Sequence, residues 1–160
     1  MTSIESDRGR RRVAAGIKTS LRELRNQLSL LNHQVGSRLE LRDVDLDCLE
    51  IVSEHGPLTP SALARRAGLH PATMTGVLDR LQRGGWVARE RDPDGTDRRA
   101  VLVRALKDRN PELFGLYSGM NSALDELLAG YDEDQLALLA DFLCRTTEAG
   151  RAATEDLSRG

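Results

Sequence analysis

Thr73 and Thr75 stand two residues apart just after His70 and Pro71, with Ala72 and Gly76 beside them and Arg80 one helical turn further on. On a helix, small and hydroxyl-bearing residues near the N-terminus permit close approach to a major groove, where threonine hydroxyls and methyls meet base edges. The bland reading of the same residues is a solvated helix face. A second cluster, Thr59 and Ser61 around Pro60, marks another helix start. Free backbone N–H groups there form a natural phosphate site, to which both hydroxyls add, although Thr59 serves equally as a simple cap. A third group is Arg98 and Arg99, which follow the turn-rich run Asp92-Pro93-Asp94-Gly95-Thr96-Asp97. Their guanidinium forks suit phosphates or a minor groove, and Asp97 is placed to orient Arg99 unless it is an ordinary hairpin-tip acid.

These residues need particular elements to hold them. Val44 to His55 predicts a short helix stopped by Gly56-Pro57, and Thr59-Pro60 opens the next, through Ala67, burying Ala62, Leu63 and Ala67. Gly68 permits a sharp turn, His70 caps a helix running to about Arg83, and Met74, Val77, Leu78 and Leu81 form its buried face. Two short helices joined through a glycine turn are a helix-turn-helix. The period then changes from helical to alternating, so Trp86 to Arg91 and Arg99 to Ala105 read as two strands of a wing.

Helices flank this centre. Between Arg10 and Leu41, Ile17, Leu21, Leu24, Leu28, Leu31 and Val35 form one narrow apolar seam. Asn110-Pro111 opens a helix reaching about Ala129, with Leu113, Leu116, Tyr117, Met120, Leu124 and Leu127 apolar. After Gly130, Asp132 and Gln135 make a capping box. Leu136, Leu139, Leu143, Thr146, Ala153 and Leu157 then continue a seam. The seams suit packing within one bundle or, preferably, a helical dimer interface. The expected fold is mainly α (α+β): residues 44–106 form a winged helix-turn-helix, and residues 10–41 and 110–158 form the dimerisation region.

Charge and composition agree with that plan. The 160 residues carry a formal net charge of -2, but residues 65–104 hold nine basic and five acidic side chains while residues 105–160 hold five and eleven. A basic middle inside an acidic chain points to an anionic partner. Aromatic residues supply only 3%, so the core must be aliphatic. No apolar run approaches the roughly 20 residues of a membrane span, and the polar, Arg-rich start has no signal-peptide core. Two cysteines cannot build a secreted disulfide framework. A cytoplasmic protein is expected. No phosphate-cradling glycine motif, nucleophile elbow or acid–base constellation is present, so neither an enzyme nor a cofactor is expected.

The stretch LTPSALARRAGLHPATMTGVLDRLQRGGWVARERDPDGTDRRAVLVRAL, Leu58 to Leu106, resembles the winged helix-turn-helix of MarR-type transcriptional regulators. The LDRLQRGGWVARE segment and the Asp97-Arg98-Arg99 wing ending are its most specific parts. The resemblance implies a homodimer that binds a pseudo-palindromic operator in double-stranded DNA, acts as a repressor or less often an activator, and is released by a small-molecule effector. It also implies an effector cleft where arm helices meet the DNA-binding domain, for which Arg22, Arg25 and His33 are candidates. Leu106-Lys107-Asp108-Arg109-Asn110-Pro111 replaces the Leu-Thr and glycine usual after the wing, so a remodelled connection is expected.

Two other functions remain in view. A winged-helix dimer could serve as a protein-interaction module without sequence-specific DNA binding, or a thiol could sense oxidants. Cys48 lies among Leu46, Leu49 and Ile51 and reads as a small buried hydrophobe. Cys144, beside Arg145, only partly meets the description of a reactive thiol. His33, His55 and His70 are scattered, and no metal site is expected.

Overall fold

The computed structural model describes residues 2–91 and 100–159, and divides the chain into two compact units, Met1–Leu116 and Tyr117–Gly160. The order is α1 (Thr2–Leu39), α2 (Asp43–His55), α3 (Pro60–Ala67), α4 (Pro71–Arg83), β1 (Val87–Arg91), β2 (Val101–Ala105), α5 (Asn110–Leu128) and α6 (Glu133–Ser158). Strands β1 and β2 pair antiparallel, with Val87 opposite Ala105 and Arg91 opposite Val101. This is the helix-turn-helix and wing expected from the sequence.

Helix α1 begins eight residues before the apolar seam suggested. The added turns hold one apolar residue, Ile4, too few to mark a seam, and an Arg11–Asp7 ion pair at i,i+4 spacing (2.6 Å) supports them. At its other end the helix closes through a bond from the Leu41 N–H to the Gly36 carbonyl (2.9 Å), with Glu40 in the left-handed region at φ 57°. That position usually takes glycine.

The core of the first unit is made where α2, α3 and α4 meet the strands. Leu46, Leu49 and Val52 of α2, Leu63 and Ala64 of α3, and Met74, Val77, Leu78 and Leu81 of α4 are buried around Trp86, Val87 and Val103. On α3 the buried alanine is Ala64, not the expected Ala62 and Ala67, which are half-buried. The eight-residue helix turns Leu63 and Ala64 together toward its neighbours. Trp86 stays outside the strand: its N–H donates to the Leu81 carbonyl (2.9 Å), which commits it to the end of α4. Leu58 exchanges two backbone bonds with Val103, at 3.0 and 2.7 Å, and so pins the α2–α3 connection to the wing.

The remaining helices bury little. Among the described residues none of α5 or α6 is buried, and Leu127, Leu138 and Leu157 are 65%, 70% and 84% exposed. On α1 the seam is covered only near its end, at Val35 and Leu39, while Ile17, Leu24 and Leu28 are exposed. The capping box of α6 forms as expected, with Asp132 accepting from the Gln135 N–H at 2.9 Å and Gln135 accepting from the Asp132 N–H at 3.0 Å. No helix among the described residues is long and apolar enough to cross a membrane.

Candidate nucleic-acid interface

The candidate interface is built on α3 and α4. Thr59 caps α3, its hydroxyl accepting from the Ala62 N–H at 3.2 Å, and Ser61 Oγ lies 3.2 Å from Thr59 Oγ1. Gly68 ends α3 at φ 64°, a left-handed conformation that glycine takes without steric cost. The turn delivers the chain to His70, whose Nδ1 accepts from the Ala72 N–H at 3.2 Å and caps α4. Met74, Val77, Leu78 and Leu81 hold α4 to the core, and Ala72, Thr73 and Thr75 are exposed on its opposite side. Gly76 is half-buried. Thr75 donates weakly to the Pro71 carbonyl (3.4 Å), and the Thr73 hydroxyl has no partner among the described residues.

Arg80 departs from the outward position expected for it. It reaches back to α2, where Nε and Nη2 grip Asp45 at 2.8 and 2.7 Å. Asp45 is wholly buried and also accepts the Arg42 N–H at 3.0 Å. The two residues are 35 positions apart, so helical spacing on α4 could not reveal the pair. The warning sign was an acid inside the apolar run of α2. A buried carboxylate requires a partner, and a bidentate guanidinium supplies one.

Other ion pairs shape the basic middle. Arg89 pairs with Asp79, joining β1 to α4, and Arg104 pairs with Glu90 across the wing at 2.6 Å. The Arg104 hydrogen bond holds the Glu90 carboxyl below the usual carboxylate range. With these acids engaged, Arg65, Arg66 and Arg91 are exposed cations without an ion-pair partner among the described residues. Asp97, Arg98 and Arg99 lie outside the described residues.

The three effector candidates are not brought together. Arg22 donates to the Thr19 hydroxyl at 3.2 Å. Arg25 lines a groove of about 460 Å³ between α1 and α2, which also holds Asp43 and Asp47. Burial and the neighbouring Asp43 push the Asp47 carboxyl above its ordinary range, which marks that groove as acidic. His33 lies against Asp43 (3.4 Å) and lines a different recess.

The cysteines differ in kind. Cys48 is fully buried, and burial together with Asp47 and Asp45 pushes its thiol up to about 11. Cys144 is exposed on α6. At pH 8 the Cys48 thiolate fraction is about one in a thousand, too small for rapid chemistry even before access is considered. Titration of the folded protein with a thiol reagent should therefore consume one cysteine promptly and the second only on unfolding; rapid reaction of both would contradict this burial. Among the described residues no cluster of His, Cys, Asp and Glu could hold a metal ion.

Comparison with known proteins adds four findings. The family model of the MarR family matches residues 41–101, a span that runs from the end of the α1–α2 turn to the start of β2. The chain is 29% identical over 138 residues to the HTH-type transcriptional regulator YcgE of Bacillus subtilis, covering 86% of this chain and 88% of that protein. It is 27% identical over 86 residues to the HTH-type transcriptional repressor YetL of the same organism, covering 54% of this chain and half of YetL. Among solved structures, a MarR family protein from Bacillus stearothermophilus superposes with a TM-score of 0.67 at 20% identity, over 88% of this chain and 97% of that one. That likeness extends the shared fold beyond the winged helix to the arm helices.

Proposed function

We propose that this chain, whose residues 41–101 match the MarR family model, is a homodimeric, sequence-specific repressor that binds a pseudo-palindromic DNA operator and leaves it when a small-molecule effector binds. The observation that carries this reading is α4 itself: an exposed face of Ala72, Thr73 and Thr75 is mounted on four fully buried side chains behind a capped N-terminus. Thr73 and Thr75 read bases, while Ala72 and Gly76 let the helix backbone come close. Thr59 and Ser61 meet a phosphate at the start of α3. Arg98 and Arg99, oriented by Asp97, reach phosphates or the minor groove; this part rests on the sequence alone. Arg80, engaged with Asp45, fixes the seating of α4 and reads no base. The name of YetL favours repression over activation.

Dimerisation is supported by the apolar side chains that one copy leaves uncovered on α1, α5 and α6. Two recognition helices must sit about 34–36 Å apart to enter successive major grooves on one face of the duplex. Changing Leu139 and Leu143 to glutamate should convert the dimer to monomers and abolish tight binding to a two-half-site duplex. Sedimentation at micromolar concentration reads the assembly, and circular dichroism confirms that the helices persist. A parent protein that sediments only as a 17.6 kDa species would refute the dimer.

A further inference from the structure

From His55 to Leu78 the chain holds no aspartate or glutamate, and the first acid after that run, Asp79, is engaged by Arg89. Arg65 and Arg66 lie within the run as exposed cations without an ion-pair partner among the described residues. In the same run the cap of α4 is a histidine, where asparagine, aspartate, serine or threonine is the usual choice. An aspartate would cap equally well but would set a negative charge at the exposed start of α4. His70 does not.

The cap bond fixes the state of the ring. Nδ1 accepts from the Ala72 N–H at 3.2 Å, so its lone pair is occupied and the proton of the neutral imidazole sits on Nε2. The Nε2–H is then a donor with no acceptor among the described residues, on a side chain exposed beside Ala72 and Thr73. The backbone of the first turn offers no substitute for it. Pro71 has no N–H, and the Ala72 N–H is capped. The Thr73 and Met74 N–H groups both donate to the His70 carbonyl, at 2.9 and 3.2 Å. An anion approaching the start of α4 therefore finds its donors on side chains, and His70 carries the foremost of them.

We infer that His70 is a further DNA contact: its Nδ1 caps α4 while its Nε2–H donates to a backbone phosphate oxygen as the helix enters the major groove. One ring thus ties the shape of the helix start to its placement on the duplex. The inference rests on the DNA-binding reading given above. A phosphate is assigned, and not a base, because the donor stands at the end of α4, ahead of the face that carries Thr73 and Thr75. Contacts from helix starts to phosphates set position on the duplex and carry no sequence information.

Asparagine, serine and aspartate also cap helices, so substitutions can keep the fold and remove the donor. The full-length parent and His70→Asn are compared on a random-sequence duplex and on an operator selected from random duplexes, at about pH 8 and across a salt series. His70→Asn should keep the parental urea midpoint and weaken both duplexes about tenfold per half-site. His70→Asp, which sets a negative charge against the phosphate, should weaken them further. The salt slope should stay the same, because a neutral donor displaces no counterion. In the free protein, nitrogen NMR shifts of the imidazole should report the Nε2–H tautomer. If His70→Asn does not fold, His70→Ser takes its place. Parental affinity in the variant, or a proton on Nδ1, would overturn the contact. Loss on the selected operator alone would place His70 on a base and overturn the phosphate assignment. A slope flattened by about one per histidine would overturn the neutral ring. A parent that binds neither duplex would refute DNA binding itself, a result read without any variant.

Discussion

Replacing Arg80 by alanine is expected to remove about 3–5 kcal/mol of folding stability, because it strands the fully buried Asp45 carboxylate without its counter-ion. Domains of this size are stable by only about 5–15 kcal/mol, so the loss is a large share of the total. The guanidinium makes two bonds to the carboxylate, and only the Arg42 N–H remains to solvate it when they are gone. Arg80→Lys should recover part of the loss, since one ammonium cannot reproduce the bidentate grip. Urea midpoints, compared at one protein concentration because self-association shifts apparent stability, provide the measurement. A variant with parental stability that has lost only its DNA affinity would show that Arg80 is a surface contact after all.

That pair also shows where a sequence stops being readable. Local signals were legible because their causes are local. Thr59 and His70 cap their helices as their positions before proline suggested, and the four-residue apolar face of α4 is buried as its spacing required. The wing followed from the change of period after Gly85. Arg80 was misread because helical spacing says which side a residue leaves from, and a long side chain can still turn back to an acid 35 positions away. The same limit hid the stacking of Arg109 on Trp86. An unusual connection after the wing was visible, but its contact with the end of α4 was not. The start of α1 was missed for the opposite reason: its first eight residues hold a single apolar side chain, Ile4, so no apolar pattern marked them. Arg22, Arg25 and His33 shared a helix in sequence, yet side chains on one helix need not share a recess.

Duplex DNA is expected to bind with a steep salt dependence, since arginines displace counterions condensed on the phosphates. If a dimer makes at least six phosphate contacts, random-sequence affinity should fall about a thousandfold between roughly 50 and 200 mM salt. Arg98→Ala and Arg99→Ala should weaken binding to every sequence and flatten this slope. Thr73→Ala and Thr75→Ala should keep the slope and change which sequence is preferred, each by on the order of 1 kcal/mol. The two classes of variant therefore separate positioning on the backbone from reading of bases.

The most direct measurement is the affinity of the parent protein for an operator selected from random duplexes, set beside its affinity for random DNA across that salt range. The expected operator has two-fold symmetry and half-sites about one helical turn apart, and is bound at least about a thousandfold tighter than random duplex at physiological salt. Equal affinity for selected and random DNA would contradict sequence-specific recognition by α4, and no salt-dependent binding to either would remove DNA as the partner.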